Sequence, residues 1–303
     1  MVTSLLSFNC NNSAEHVNCN RNSGNLEFDS CPEHCSYFST VLCKTLSVVQ
    51  VQAPRDFQSN SKMRPKIFLF GDSITQDSFA EGGWGASLAN HFSRTVDVVL
   101  RGYSGYNTRW VLKVLEKVFA ATQHGDGGIN GAPVAITIFF GANDACLPDR
   151  YGAFQHVPLL EYKQNLHSIV SFFVKQWPTT HVLLITTPPI DEEARLRYPY
   201  AYNPQGLPER TNEAAGEYAT ACIAVAEECG VPVIDLWTKM QQCPDWRKEY
   251  LCDGLHLTQS GNRVVFEEVI LKLREKGLSL EAMPVDLPLL ADIDPNDPLK
   301  SFQ

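Results

Sequence analysis

Beyond residue 63 the chain alternates between short, unbroken apolar runs and longer stretches of helical periodicity. That alternation narrows the fold more than any other feature of the sequence. Ile67-Phe-Leu-Phe70, Val96 to Leu100, Val134 to Phe140, His181 to Thr186 and Val231 to Ile234 read as strands. Continuous apolar runs of this length suit strands covered on both faces. Thr108 to Ala121 sets Val111, Leu112, Leu115 and Val118 at helix spacing. Leu159 to Trp177 reads as a helix that stops before Pro178. Arg210 to Cys229 is closed by Gly230, and Gln259 to Lys276 by Gly277. Strands both preceded and followed by helices form βαβ units and require a mostly parallel sheet. Right-handed crossovers then put helices on both faces. The expected class is α/β, with helix layers on either side of a mostly parallel sheet of about five strands, in one domain over residues 63–275.

The flanks have another character. Residues 1–62 are rich in Ser, Asn and Cys and lack sustained periodicity. Such a segment buries too little apolar surface to offset its ordering entropy. It is expected to be a low-order extension, with the working protein beginning near Met63. Its first residues lack both the positive n-region and the apolar core of a signal peptide, and it has too few arginines for a transit peptide. Cys31, His34, Cys35 and Cys43 match no standard zinc spacing. In the domain, Cys146, Cys222, Cys229, Cys243 and Cys252 show no disulfide-framework spacing, so reduced thiols in a cytoplasmic setting are expected. Residues 276–303 form an acidic, Pro-rich tail that is expected to lie over the surface. Whether it crosses to a second copy, making a homodimer, is left open.

Composition removes two classes of partner. A formal net charge of −9 disfavours nucleic acid, which needs a basic footprint. No apolar run approaches the length of a membrane span, about 18 residues.

In an open α/β sheet, ligands gather at the carboxyl ends of the strands. After the first strand comes Gly71-Asp72-Ser73-Ile74-Thr75. After the second comes Arg101-Gly102-Tyr103-Ser104-Gly105-Tyr106-Asn107-Thr108. The third is followed by Gly141-Ala142-Asn143-Asp144, and the last helix is preceded by Asp253-Gly254-Leu255-His256. Hydrolysis of an ester through a serine needs a nucleophile, a base for its proton and donors for the developing oxyanion. Ser73, at a strand-to-helix turn, is the candidate nucleophile, and its own N–H is a candidate oxyanion donor. His256 is the candidate base. Asp253, three residues earlier, can curl back to the imidazole Nδ1–H and fix its tautomer. Gly105, lacking a Cβ, can bring its N–H close to an oxyanion. The Asn143 amide supplies a further donor. Trp84, Tyr106 and Trp110 are candidate substrate-lining aromatics.

Plainer readings exist for each residue. Ser73 with Gln76 fits a capping box. Asp72 can cap the same helix, and Asn143-Asp144 can be a simple turn or cap. Gly102-Tyr-Ser104-Gly105 nearly matches the G-x-S-x-G elbow and makes Ser104 a rival nucleophile. Asp72, Asp144, Asp253 and His256 could instead hold a metal for phosphoester hydrolysis. A flavodoxin-like binding module with a dead site is the non-enzymatic alternative. No G-x-x-x-x-G-K-[ST] loop is present, and Gly125 to Gly131 precedes a strand, the wrong side for a dinucleotide site.

Taken together and in this order, the four segments resemble the conserved blocks of the SGNH hydrolases, also called GDSL lipases and esterases. Gly71-Asp72-Ser73-Ile74 resembles the nucleophile block. Arg101-Gly-Tyr-Ser-Gly105 resembles the block whose glycine lends an oxyanion N–H. Gly141-Ala-Asn143-Asp144 resembles the G-x-N-D block, and Asp253-Gly-Leu-His256 the block that supplies acid and base. Gly82-Gly-Trp84-Gly, Arg109-Trp110, Asn143-Asp-Ala-Cys146-Leu-Pro and Gln155-His156-Val-Pro are similar to the isoamyl acetate-hydrolysing esterase branch, particularly its plant members. The resemblance covers residues 63–275. It implies a flavodoxin-like five-stranded sheet and a serine carboxylic ester hydrolase for small, short-chain acyl esters. The reactants would be the ester and water, with neither metal nor cofactor. A thioesterase, a lysophospholipase or a sugar O-acetylesterase could use the same triad.

Overall fold

The computed structural model describes residues 64–119, 131–199 and 201–302. The extension over 1–62 with its cysteines, and the Gly-rich stretch over 123–130, lie outside the described residues. In chain order the elements are β1 (Lys66–Gly71), α1 (Ser73–Gln76), α2 (Trp84–His91), β2 (Asp97–Gly102), α3 (Thr108–Phe119), β3 (Ala135–Phe139), α4 (Leu159–Gln176), β4 (His181–Ile185), α5 (Glu192–Arg197), α6 (Asn212–Cys229), β5 (Val233–Ile234), α7 (Leu236–Gln241), α8 (Trp246–Tyr250) and α9 (Gln259–Glu275).

Among the described residues the five strands form one parallel sheet in the order β2-β1-β3-β4-β5. The expected class and strand count both hold. The apolar runs are continuous because alternate side chains serve different cores. Ile67 and Leu69 point to one face, where they pack with Leu88 of α2, Met240 of α7 and Val265 and Val269 of α9. Phe68 and Phe70 point to the other, against Val111 and Leu115 of α3, Leu166 and Ile169 of α4 and Val225 of α6. A helix layer therefore covers each face, which is the three-layer sandwich. Each fully buried Leu, Ile or Phe contributes roughly 1.5–3 kcal/mol, so both layers are firmly seated.

Several boundaries differ from the sequence reading, each for a local reason. β2 runs on to Gly102, so that Gly102 pairs with Gly71 rather than opening a turn. A Cβ there would run into the backbone of Thr75 and Gln76, so glycine is what lets α1 sit against β2. β5 is shorter than expected because Pro232 has no N–H to give the ladder. Its carbonyl still accepts from Leu184 N at 3.0 Å. The short helices α2, α5, α7 and α8 span too few turns to show periodicity. The acidic tail does run over the surface. Asp286 is clasped by Arg94 Nε at 2.9 Å and Arg64 Nε at 2.6 Å, and its N–H donates to the Arg94 carbonyl. No helix among the described residues is long and apolar enough to cross a membrane.

The order of the strands positions the site. The chain leaves β1 for β2 on one side and then crosses to β3 on the other. The crevice above the carboxyl ends of β1 and β3 is thus the topological switch point, where ligands bind in open α/β sheets. The segments that follow β1, β2 and β3 all open onto it.

Candidate active site

Asp72 begins α1. Its carboxylate Oδ1 accepts from Ile74 N at 3.0 Å, so Asp72, not Ser73, is the cap. The capping-box reading of Ser73 and Gln76 is therefore incorrect. Gln76 Oε1 instead accepts from Ser104 N at 2.9 Å. Ser73 becomes the first residue of the helix, where the backbone N–H has no intrahelical acceptor, and its hydroxyl is freed from capping. That hydroxyl lies 3.0 Å from His256 Nε2. His256 Nδ1 lies 2.8 Å from Asp253 Oδ2. The histidine is bonded to Ser73, and the rival Ser104 is held by its backbone to Gln76.

Asp253 is saturated with donors. Oδ1 accepts from Leu255 N at 3.0 Å and from His256 N at 2.8 Å. Oδ2 accepts from the imidazole and from Arg195 Nη1 at 2.8 Å. Burial alone would raise its proton affinity. The hydrogen bond and charge of His256, with the charge of Arg195, outweigh burial and hold the carboxyl well below the usual range. An ionised carboxylate can only accept, so the proton between the two side chains resides on Nδ1. Nε2 is then left as an acceptor facing the serine.

Gly105 adopts a φ of +78°, which its missing Cβ permits. Its carbonyl accepts from Gln155 Nε2 at 3.0 Å. Asn143 is buried, and its Oδ1 accepts from Gln155 Nε2 at 3.1 Å and Arg210 Nη2 at 3.0 Å. An arginine has no acceptor to offer, so this contact fixes which end of the amide is oxygen. Asn143 Nδ2 donates to the Tyr106 carbonyl at 2.9 Å, which leaves its second N–H for a ligand. Asp144 ties the loop after β3 to the start of α3. It accepts from Thr108 N at 3.0 Å and from the Thr108 hydroxyl at 2.5 Å. Burial pushes the carboxyls of Asp72 and Asp144 up to about 7 each. Asp72 caps α1, and Asp144 holds the first residue of α3, whose cap is Asn107 through Oδ1 and Trp110 N at 2.9 Å. Among the described residues no group of three His, Cys, Asp or Glu is arranged to hold a metal ion.

The aromatic candidates divide. Tyr106 and Trp110 are half-buried, with ring centroids 5.9 Å apart, and Trp110 stacks on the exposed Phe154 at 6.2 Å. They form a shelf beside the Gly105 and Asn143 loops. Trp84 does not belong with them. Its side chain is wholly enclosed in the core on the α2 and α9 face, and its indole N–H donates to the Ile74 carbonyl at 3.3 Å. It supports the Ser73 turn from behind, and its enclosure in the core corrects the expectation for this residue.

Four residues that surround the site carried no assigned role in the sequence reading: Gln155, Arg195, Glu209 and Arg210. Gln155 enters the sequence reading only through the branch resemblance. Arg195 falls within the long segment after β4 that reads as a loop. In the structure that segment folds as α5 and is pinned to the Asp253–His256 turn through Asp191 N to the Gly254 carbonyl at 3.0 Å. Glu209 and Arg210 are adjacent opposite charges ahead of α6, a pair that the sequence alone does not distinguish from a solvated one.

The pattern of the GDSL-like lipase/acylhydrolase family matches residues 67–269. A GDSL esterase/lipase of Arabidopsis thaliana is 67% identical over 240 residues, covering 79% of this chain and 98% of that protein. The isoamyl acetate-hydrolyzing esterase 1 homolog of Homo sapiens is 45% identical over 231 residues, covering 76% of this chain and 88% of its own length. Among solved structures, the lipase/acylhydrolase from Enterococcus faecalis superimposes with a TM-score of 0.54 at 25% identity, covering 74% of this chain and 98% of that one.

Proposed function

Since the chain belongs to the GDSL-like lipase/acylhydrolase family and is an ester hydrolase, we propose that it cleaves small, short-chain acyl esters through an acyl-enzyme on Ser73. The single observation that carries the mechanism is the unbroken Ser73–His256–Asp253 line, with contacts of 3.0 and 2.8 Å. His256 Nε2 takes the serine proton as Oγ attacks the ester carbonyl. The negative oxygen of the tetrahedral intermediate is met by the Ser73 N–H, the Gly105 N–H and the Asn143 amide. His256 then gives the proton to the departing alcohol. Water, deprotonated by the same nitrogen, attacks the acyl-serine, and His256 returns the proton to Ser73 Oγ as the acid departs.

Acyl size is supported by the likeness to the isoamyl acetate-hydrolyzing esterase 1 homolog. Tyr106 and Trp110 are the residues proposed to line the substrate. The catalytic domain is taken as residues 63–275, with 1–62 as an extension it does not need and 276–303 as a tail. The family match over 67–269 supports that division. A cytoplasmic setting is proposed on the thiols of Cys146, Cys222, Cys229 and Cys243, none of which is in a disulfide. The reactants proposed are the ester and water alone, and the acidic net charge supports leaving nucleic acid out.

The test is a kinetic profile on p-nitrophenyl esters from C2 to C12, with Ser73→Ala as the blank. The expected kcat/KM is highest at C2 to C4 and falls with each further pair of methylenes. An optimum at C8 or beyond would replace this reading with a lipase or lysophospholipase.

Asn143→Ala tests the oxyanion assignment. Loss of one such donor costs about 10²–10³ in kcat. The KM should move little, because the contact forms fully only in the transition state. The substitution also leaves Arg210 Nη2 and Gln155 Nε2 without their shared acceptor, so a stability loss of about 1–3 kcal/mol is expected. Chemical denaturation of the same preparation checks that second effect.

A further inference from the structure

Three charged side chains stand behind the site, and the reaction does not use them. Glu209, Arg195 and Arg210 are all buried, the glutamate completely. Glu209 Oε1 accepts from Arg195 Nε at 2.8 Å and from Arg210 Nη1 at 2.9 Å. Each arginine then reaches outward. Arg195 Nη1 donates to Asp253 Oδ2 at 2.8 Å and to the Asp253 carbonyl at 3.3 Å. Arg210 Nη2 donates to Asn143 Oδ1 and to Gln155 Oε1, both at 3.0 Å, and Nε to the Ala142 carbonyl at 2.7 Å. One line of contacts runs from the triad acid to the oxyanion amide, through side chains that come from α5 and the segment ahead of α6.

Stability does not account for this arrangement. Buried ionic triads can often be replaced by apolar side chains at no loss, and sometimes with a gain. A clamp between α5 and the start of α6 would need only the Arg195–Glu209 contact. Here the far end of each arginine is committed to a group of the site. The charges alternate, so that those of Asp253, Arg195, Glu209 and Arg210 balance.

We propose that Arg195, Glu209 and Arg210 act as one positioning brace, which holds Asp253 and Asn143 in register with each other and sets the net charge behind His256. The inference rests on the roles given above to Ser73, Asp253, His256 and Asn143. Arg195 draws on the Asp253 carboxylate and so weakens its pull on the imidazolium. Glu209 offsets Arg195. The titratable and charged groups near the imidazole are Asp253 from its own turn and the buried carboxyl of Asp72 from the start of α1, with Arg195 from α5 directly behind Asp253. Glu209 and Arg210 stand behind Arg195.

Two substitutions should therefore move the acid limb of the kcat/KM profile in opposite directions. Arg195→Met removes a positive charge, which favours the protonated base and shifts the limb up by about one pH unit. Glu209→Gln leaves Arg195 unopposed and shifts it down by about the same amount. Each should also lose about ten- to a hundredfold in kcat through misplacement of Asp253 or Asn143. A merely structural role would lower the yield of active sites, counted with a fluorophosphonate, and leave the limb where it is. The double variant Arg195→Met/Glu209→Gln removes a buried opposite pair and keeps the remaining charges balanced. It provides a folded protein should either single change fail, and its kcat should fall with a smaller upward shift.

Limbs moving in opposite directions support the brace. Folded single variants with the parent's limb and kcat overturn it, as does a double variant with the parent's kcat. Ser73→Ala is assayed beside them. If it is inactive while the Arg195 and Glu209 variants match the parent, the brace fails and the site reading stands. If it turns over at the parent's rate, both fail.

Discussion

Replacing Ser73 with alanine should lower kcat on a short-chain ester by about 10⁴–10⁶, the range seen when a serine nucleophile is removed from a working triad. The residual rate would come from the oxyanion donors and from binding alone. The fold should not suffer, for reasons specific to this turn. The helix that Ser73 begins is capped by Asp72. The hydroxyl's hydrogen bond is to His256, a half-exposed imidazole that water can reach in its place. Alanine therefore removes the nucleophile without stranding a buried partner. Two further readouts follow. The acyl-enzyme burst seen at high enzyme concentration should vanish, and fluorophosphonate labelling with it. Melting temperature should remain within a degree or two of the parent. A Ser73→Ala protein that still showed a burst would move the nucleophile elsewhere, and Ser104 would be examined next.

Much of the candidate site is legible in the sequence, because the residues proposed for it are local in the chain. The serine proposed as nucleophile just past a strand, the glycine and amide proposed as oxyanion donors just past two others, and the carboxylate three residues before the proposed base each occupy one short segment. Apolar runs showed where the strand ends lie, and that placed all of those segments on one rim. What could not be read was either tertiary or a choice between neighbours. Arg195 and Glu209 are charged residues in a polar stretch, and nothing in their surroundings distinguishes a solvated charge from one sealed inside. Their burial exists only once α5 folds back onto the Asp253 turn. Trp84 follows two glycines, a context as suitable for a pocket wall as for a core. Its burial follows from α2, which is too short to announce itself by period. The exchange of capping from Ser73 to Asp72 is the finest of these distinctions. Both residues are good caps, and one residue of register decides which hydroxyl or carboxylate the helix consumes.

The substitution Asp253→Asn should cost about 10⁴ in kcat, comparable to the loss when a triad acid becomes an amide and the histidine adopts the wrong tautomer. In this protein an amide has no acceptable orientation. With its NH2 in the Oδ2 position, it would face His256 Nδ1 and also Arg195 Nη1, a donor with no acceptor capacity. With its NH2 in the Oδ1 position, it would face the backbone N–H groups of Leu255 and His256. One orientation reverses the imidazole tautomer, and the other sets donor against donor beneath it. Unlike Ser73→Ala, this variant should therefore also lose stability, by about 1–3 kcal/mol at neutral pH. The loss should depend on pH with a definite sign. His256 and Arg195 outweigh burial in holding the native Asp253 carboxyl below its unfolded value, so its contribution is present above that value and is lost as pH falls through the native one. The gap between parent and variant in urea unfolding should be full above about pH 5 and should narrow below about pH 4, where the unfolded carboxyl takes up its proton. A gap that stayed constant from pH 7 to pH 3 would mean that Asp253 contributes shape rather than charge, and the imidazole would have to be oriented by its other contacts.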